Sequence, residues 1–191
     1  MHRKDTGLRI IGGNLKGKRL YSIPGTIIRP TADRLRESIF NILSFRVQDA
    51  VVLDLFAGTG AFGIEALSRG AESAVFVENN KSVISVIDRN VRSCALDNNA
   101  KIIKWDINKN LNCLKSFSPA FNLIFLDPPY NQGLIKPALS NLEKSRSLGK
   151  EAYFVVEHSP LEKIPKDLSN FEVADQRKYG KILVSFLNYV V

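Results

Sequence analysis

The sequence has little sulfur and little histidine: two cysteines, one methionine and two histidines in 191 residues. Cys94 and Cys113 lie far apart and form no C-x-x-C pair, so neither a disulfide framework nor a zinc site is indicated. Both are expected to behave as buried small hydrophobes in a reducing cytoplasm. Long apolar runs are missing too. The longest covers five residues, 152–156, far short of the ~20 needed to cross a bilayer. The amino terminus, MHRKDTGLRIIGG, is basic, but no apolar stretch of signal-peptide length follows it, so a cytoplasmic protein is expected. Repeats and low-complexity tracts are absent. What is present is an ordinary globular composition, 45 % hydrophobic and 24 % charged. A chain of this length buries about 70 % of its unfolded surface, enough for one well-packed core.

The charge is unevenly distributed. Residues 1–36 carry nine Lys/Arg against two acids, a net +7, whereas residues 37–191 carry eighteen against seventeen, a net +1. That division suggests a nucleic-acid-binding extension on a nearly neutral catalytic body. The extension also carries Leu8, Ile10, Ile11, Leu20, Tyr21 and Ile23, so it has apolar surface with which to pack.

The pattern along the chain predicts the fold class. Residues 8–11 and 19–23, separated by glycines, read as a β-hairpin. Thr31 is a candidate N-cap for a helix with Leu35, Ile39, Ile42 and Leu43 on one face. Five strand-then-helix units follow, with strands at 51–55, 74–77, 101–104, 123–126 and 153–156 and helices near 61–68, 83–95, 108–115 and 134–142. The strands are wholly apolar rather than alternating, which predicts a parallel sheet covered on both faces. Residues 171–174 and 182–189, joined at Tyr179-Gly180, predict an antiparallel hairpin at one edge. The expected fold is therefore α/β, a doubly wound, mostly parallel, seven-stranded Rossmann-like sheet. A small basic N-terminal hairpin and helix precede it. The expected division is residues 1–30 as the basic extension and 31–191 as the main domain. Ligands should bind beyond the carboxyl ends of the strands.

The loop after the first of these strands reads Asp54-Leu55-Phe56-Ala57-Gly58-Thr59-Gly60. Gly58, Gly60 and Gly63 spell G-x-G-x-x-G, and Glu78 stands twenty residues past Gly58, so a nicotinamide dinucleotide is a competing ligand. Asp54 argues against it, because a carboxylate entering this turn repels a pyrophosphate. It suits S-adenosylmethionine, which presents an ammonium and a sulfonium. Glu78 can accept from both ribose hydroxyls. Asp106 can accept from an adenine amine, or it can simply cap the next helix.

The fourth strand ends in Asp127-Pro128-Pro129-Tyr130. Methylating the exocyclic amine of a base requires the nitrogen to be held in line with the donor methyl while positive charge develops on it. Asp127 can accept one N–H and the Pro128 carbonyl the other. Tandem prolines fix φ and hold the preceding residues extended. Tyr130 offers a face to a base taken out of its stack. The bland reading of this tetrapeptide is a rigid turn. His158 reads as structural or as bordering the substrate.

These motifs resemble the class I S-adenosylmethionine-dependent methyltransferases, and among them the group with an (N/D/S)-P-P-(Y/F/W) amino-methylation signature. Further motifs narrow the resemblance to the RsmD family. They are Arg9-Ile10-Ile11-Gly12-Gly13, Lys16-Gly17-Lys18-Arg19-Leu20, Arg29-Pro30-Thr31 with Arg34, Arg36-Glu37, Phe40-Asn41-Ile42-Leu43 and Glu65-Ala66-Leu67-Ser68-Arg69-Gly70-Ala71. The match spans almost the whole chain. Thr59 stands where serine is frequent and Tyr130 where phenylalanine is frequent, and neither alters the chemistry.

The resemblance implies methylation of the N2 amine of a guanine in 16S ribosomal RNA, within an assembled or partly assembled small subunit, by a monomer that needs no metal. It implies Asp127, Pro128, Pro129 and Tyr130 at the guanine amine. At the cofactor it implies Thr31, Arg34, Asp54, Phe56, Ala57, Gly58, Thr59, Gly60, Glu78, Asn79 and Asp106. RNA contacts are expected from Arg9, Lys16, Lys18, Arg19 and Arg36. Open alternatives are an adenine- or cytosine-amine methyltransferase, an NAD-linked oxidoreductase, and an RNA-binding module with a vestigial cofactor fold.

Overall fold

Strands with apolar residues on both faces need a layer on each side, and that requirement organises the molecule. A computed structural model describes residues 7–23, 30–115 and 117–190. Helix α1 (Pro30–Leu43) precedes β1 (Val51–Leu55), α2 (Ala61–Ser68), β2 (Ser73–Glu78), α3 (Lys81–Ser93), β3 (Ala100–Lys104) and β4 (Phe121–Leu126). Helix α4 (Ile135–Ser145), β5 (Leu148–His158), β6 (Phe171–Tyr179) and β7 (Ile182–Tyr189) complete the described elements. The sheet order is β3-β2-β1-β4-β5-β7-β6, with β1 to β5 parallel and β7 antiparallel to both β5 and β6.

Alternate residues of each strand enter two separate apolar layers. Val52, Phe76, Phe125 and Val155 meet α1, α2, α3 and the N-terminal hairpin. Leu53, Val77, Ile124 and Phe154 meet α4 and the segment around Leu111–Leu114. The strand order reverses at β1, which has β2 on one side and β4 on the other. The register pairs Leu55 with Leu126 and Leu126 with Val156, so the residues after β1, β4 and the apolar part of β5 emerge at one level.

The hairpin at residues 7–23 is held by Ile10 N–H to Lys18 C=O (2.9 Å) and Leu20 N–H to Leu8 C=O (2.8 Å). Leu8, Ile10 and Leu20 are buried in the same layer as α1 and α2, so the extension shares the core of the body. The division expected between residues 30 and 31 falls inside the first turn of α1.

Several local expectations are corrected. Thr31 is the second residue of α1 rather than its cap. Pro30 leads the helix, where its fixed φ fits and its missing N–H costs nothing. Ile42 lies on the exposed side and Phe40 takes its place in the core. The helix expected at 108–115 contracts to a single turn, Asn112–Leu114. Asp106 and Asn110 instead accept from the N–H of Asn108 (3.2 Å) and Asn112 (3.0 Å), diverting the backbone into local turns. Cys94 is buried as expected, but Cys113 is only half-buried.

Candidate active site

Asp54 leaves β1 on the α2 side of the sheet, 2 % exposed, and its Oδ2 accepts the N–H of Gly63 in the first turn of α2 (3.0 Å). Burial pushes its carboxyl up to about 8. The Gly63 bond opposes that rise, and the Glu78 carboxylate adds to it. The third glycine of G-x-G-x-x-G serves packing: a Cβ on Gly63 would stand 2.4 Å from the Phe76 ring. Gly60, at φ +76°, lets the loop turn into α2.

Glu78, at the end of β2, ties this loop down. Its Oε2 accepts from Gly58 N–H (3.3 Å), and its Oε1 from the N–H of Asn79 (2.9 Å) and Asn80 (3.0 Å). Across from it stand Asp127, Pro128, Pro129 and Tyr130, and together with Phe56 these residues line an open cleft of about 410 Å³. The structure therefore brings together two sequence motifs some seventy residues apart.

Asp127 does not stand alone. Burial first, then the neighbouring carboxyls of Glu157 and Asp54, hold its own carboxyl well above the ordinary range. Glu157 ends the apolar run of β5, is 9 % exposed, and accepts a hydrogen bond from the Tyr130 phenol. Its carboxyl is also raised by burial, against the lowering effects of the Tyr130 bond and of His158. Three carboxyls thus converge from the ends of β1, β4 and β5, with Glu78 in the facing wall and, among the described residues, no Lys or Arg in the cleft lining. A cation in the cleft favours ionising these carboxyls and a pyrophosphate opposes it, so the donor set fits S-adenosylmethionine.

Behind the acceptor loop is a polar chain. His158 Nδ1 sits against the carbonyls of Ser159 (3.0 Å) and Glu162 (2.7 Å), and Nε2 meets Ser185 Oγ (2.8 Å). Glu162 Oε2 in turn accepts the N–H of Asn131, one residue beyond Tyr130 (2.9 Å). His158 is structural.

Other expected site residues are less central. Asn79 is exposed beside the cleft, and Ala57 and Thr59 lie in the glycine loop. Asp106 accepts from Asn108 N–H and pairs with Lys109 (3.7 Å), outside the cleft lining. Arg34 is exposed on α1, and the Thr31 side chain lies outside the described residues. Arg9 is exposed and paired with Asp33 (3.2 Å); Lys16, Lys18 and Arg19 are exposed on the hairpin.

Arg36 is a correction. It was expected to meet RNA, yet it is 4 % exposed, donates to Arg9 C=O and to Asp33 (3.1 Å), and lies 3.6 Å from Glu65. Glu65, fully buried, accepts from the N–H groups of Ile11 and Gly12 (2.7 Å each) and from Arg69 (2.7 Å). Arg36 and Glu65 therefore fasten the hairpin to α1 and α2.

Sequence reasoning missed Glu157, although an acid closing an apolar strand run was the same signal that singled out Asp54 and Asp127. It also missed Asn90, fully buried on α3. Its side chain accepts from Tyr21 N–H (2.6 Å) and donates to the carbonyls of Tyr21 (3.0 Å) and Thr59 (2.9 Å).

Comparison with known proteins agrees with this geometry. The family model described as Conserved hypothetical protein 95, that of the RsmD family, matches residues 8–188. Ribosomal RNA small subunit methyltransferase D of Escherichia coli (strain K12) is 33 % identical over 181 residues, 95 % of this chain and 89 % of that protein. YlbH of Bacillus subtilis (strain 168) is 34 % identical over 173 residues, 91 % of this chain and 94 % of YlbH. A solved structure of yhhF from Escherichia coli superposes with a TM-score of 0.85 at 32 % identity, covering 96 % of this chain and 98 % of that one. With its glycine loop facing Asp127-Pro128-Pro129-Tyr130 across one cleft, the chain belongs to the RsmD family.

Proposed function

We propose that the protein transfers a methyl group from S-adenosylmethionine to the exocyclic N2 amine of a guanine in 16S ribosomal RNA. The observation that carries this reading is the register of β1, β4 and β5, which sets Asp127-Pro128-Pro129-Tyr130 opposite Phe56 and Glu78 in one acidic cleft. The name of the Escherichia coli relative supports the choice of a ribosomal RNA of the small subunit.

When bound, S-adenosylmethionine supplies a methyl carbon on a positively charged sulfur that keeps the bonding pair as nitrogen takes the methyl. Residues Phe56 to Gly60, with Asn79 and Asp106, hold it at the end of the sheet, Glu78 accepts from its ribose hydroxyls, and Thr31 and Arg34 border its methionine end. Asp54, behind the loop, ionises more readily once that cation is bound, because the positive charge offsets part of the burial that raises its carboxyl. Asp127 and the Pro128 carbonyl accept the two N–H bonds of the guanine amine and aim its lone pair. Asp127, ionised when the cationic donor is bound, then takes the proton the nitrogen loses, and its burial beside Glu157 makes that transfer more favourable. Tyr130, anchored by Glu157, offers its face to the base. The basic extension holds RNA phosphate, and a monomer acting in the cytoplasm on a partly assembled subunit completes the reading.

Incubation with labelled donor and small subunits lacking the modification should label one guanine, identified by nucleoside digestion. Label on adenine or cytosine would move the reading to another base. No incorporation by protein that binds S-adenosylhomocysteine would overturn it.

A further inference from the structure

Parallel strands in register set paired residues side by side on one face of the sheet. Leu126 pairs with Val156, so the residues that follow, Asp127 and Glu157, leave β4 and β5 as neighbours on the face that also carries Asp54. Burial raises both carboxyls, and the charge of Glu157 adds to the rise at Asp127, as it does only at short range. The strand order β1-β4-β5 places Asp127 nearer the glycine loop and Glu157 one strand farther from it.

Glu157 has an acceptor to spare. Its Oε1 accepts from the Tyr130 phenol, whereas Oε2 accepts no hydrogen bond from the described residues and is not sealed from solvent. Its two neighbours, Asp127 and Tyr130, both line the cleft. When Asp127 and the Pro128 carbonyl take the two N–H bonds of a guanine amine, the base still presents a third, the N–H at ring position N1. That donor is what sets guanine apart. On the Watson–Crick edge of adenine or cytosine the ring nitrogen beside the amine carries a lone pair, and a carboxylate, which accepts but cannot donate, meets it with no proton between them.

We propose that Glu157 accepts the N1–H of the target guanine and so selects guanine over other bases that carry an amine. Pro128 C=O, Asp127 and Glu157 then answer its three N–H bonds one by one. The assignment rests on the guanine substrate proposed above and adds the end of β5 to the residues that touch it. The positive charge of the bound donor, the N1–H bond and the Tyr130 bond all favour the ionised form of Glu157 against its burial.

The test uses the full chain and small subunits reconstituted with the labelled guanine either intact or replaced by 2-aminopurine, which keeps the 2-amine and has a lone pair at N1. For the wild type, kcat/KM should favour guanine by about a hundredfold or more. Glu157→Gln, whose amide can donate as well as accept, should lower kcat/KM on guanine about tenfold and bring the preference to within about tenfold. Glu157→Ala, with neither group, should bring it to about one. The preference is a ratio within one variant, so a loss of stability or of cofactor affinity, followed by melting temperature and by calorimetry with S-adenosylhomocysteine, does not move it. Equal use of the two bases by the wild type would overturn the proposal and leave the guanine reading standing. A wild-type preference kept by both variants would do the same, because Glu157 would then only hold Tyr130. Methylation of neither base by wild-type protein that binds S-adenosylhomocysteine would overturn both.

Discussion

Asp54 lies in the interior of the sheet edge, where it accepts a hydrogen bond from Gly63 N–H, and its folded pKa of about 8 lies far above the ordinary 3.8. Between those values the native state holds a proton that the unfolded chain has released, so the stabilisation this group contributes is full below the window, falls as pH rises through it and is gone above it. Asp127 and Glu157 shift in the same direction and add to the same slope. Asp54→Asn keeps an oxygen for Gly63 and removes the charge. It should stabilise the ligand-free protein at about pH 9 by about 2 kcal/mol, or roughly 4–8 °C, with the gain shrinking toward pH 5. Calorimetry should show weaker binding of S-adenosylmethionine in the same variant. Glu157 and Tyr130 form a second test. Tyr130→Phe keeps the stacking face and loses the bond to a charged acceptor, so kcat should fall about tenfold with little change in KM. Glu157→Gln retains an acceptor but relieves Asp127 of a like charge. The acid limb of the kcat–pH profile should therefore move to lower pH, and an unmoved limb would show that Asp127 does not feel Glu157.

At the scale of elements, α2 carries two tasks at once. Its first turn answers Asp54, and its last turns hold the hairpin through Glu65 and through Ser68, whose Oγ accepts from Leu15 N–H (3.0 Å) and donates to Gly12 C=O (2.6 Å). Both tasks depend on how closely α2 lies on β2. Gly63→Ala would press a methyl group into Phe76, so it should cost about 1–3 kcal/mol in chemical denaturation and weaken cofactor binding as the glycine loop shifts. The bounds of α2 and β1 were legible because an apolar run, a glycine turn and a helix-period segment follow one another without ambiguity. Residues 108–115 misled for a reason equally local: Asp and Asn side chains competed for backbone N–H groups that a helix would have used.

Over the whole molecule, the uneven charge suggested a nucleic-acid-binding extension with apolar surface to pack, and that extension contributes Leu8, Ile10 and Leu20 to the main apolar layer and two N–H partners to buried Glu65. Deleting residues 1–23 should therefore unfold or strongly destabilise the body, by about 5 kcal/mol from apolar burial alone, seen as a melting temperature lower by about 10 °C or more. A truncated protein that melts like the full chain would mean that the extension is a separate unit. The same coupling fixes the hairpin relative to the cleft, since Asn90 joins Tyr21 to the glycine loop.

The sequence by itself determined the α/β class, the glycine turn after β1 and the rigid Asp127-Pro128-Pro129-Tyr130 turn, because periodicity, φ restriction and turn chemistry act between near neighbours. Only the tertiary structure decided that Arg36 is an interior clamp, that Glu157 belongs with Asp127 and Asp54, and that Asn90 ties the hairpin to the glycine loop. Desolvation and Coulomb repulsion depend on which strand ends stand side by side, and strand order is settled by packing across the whole sheet.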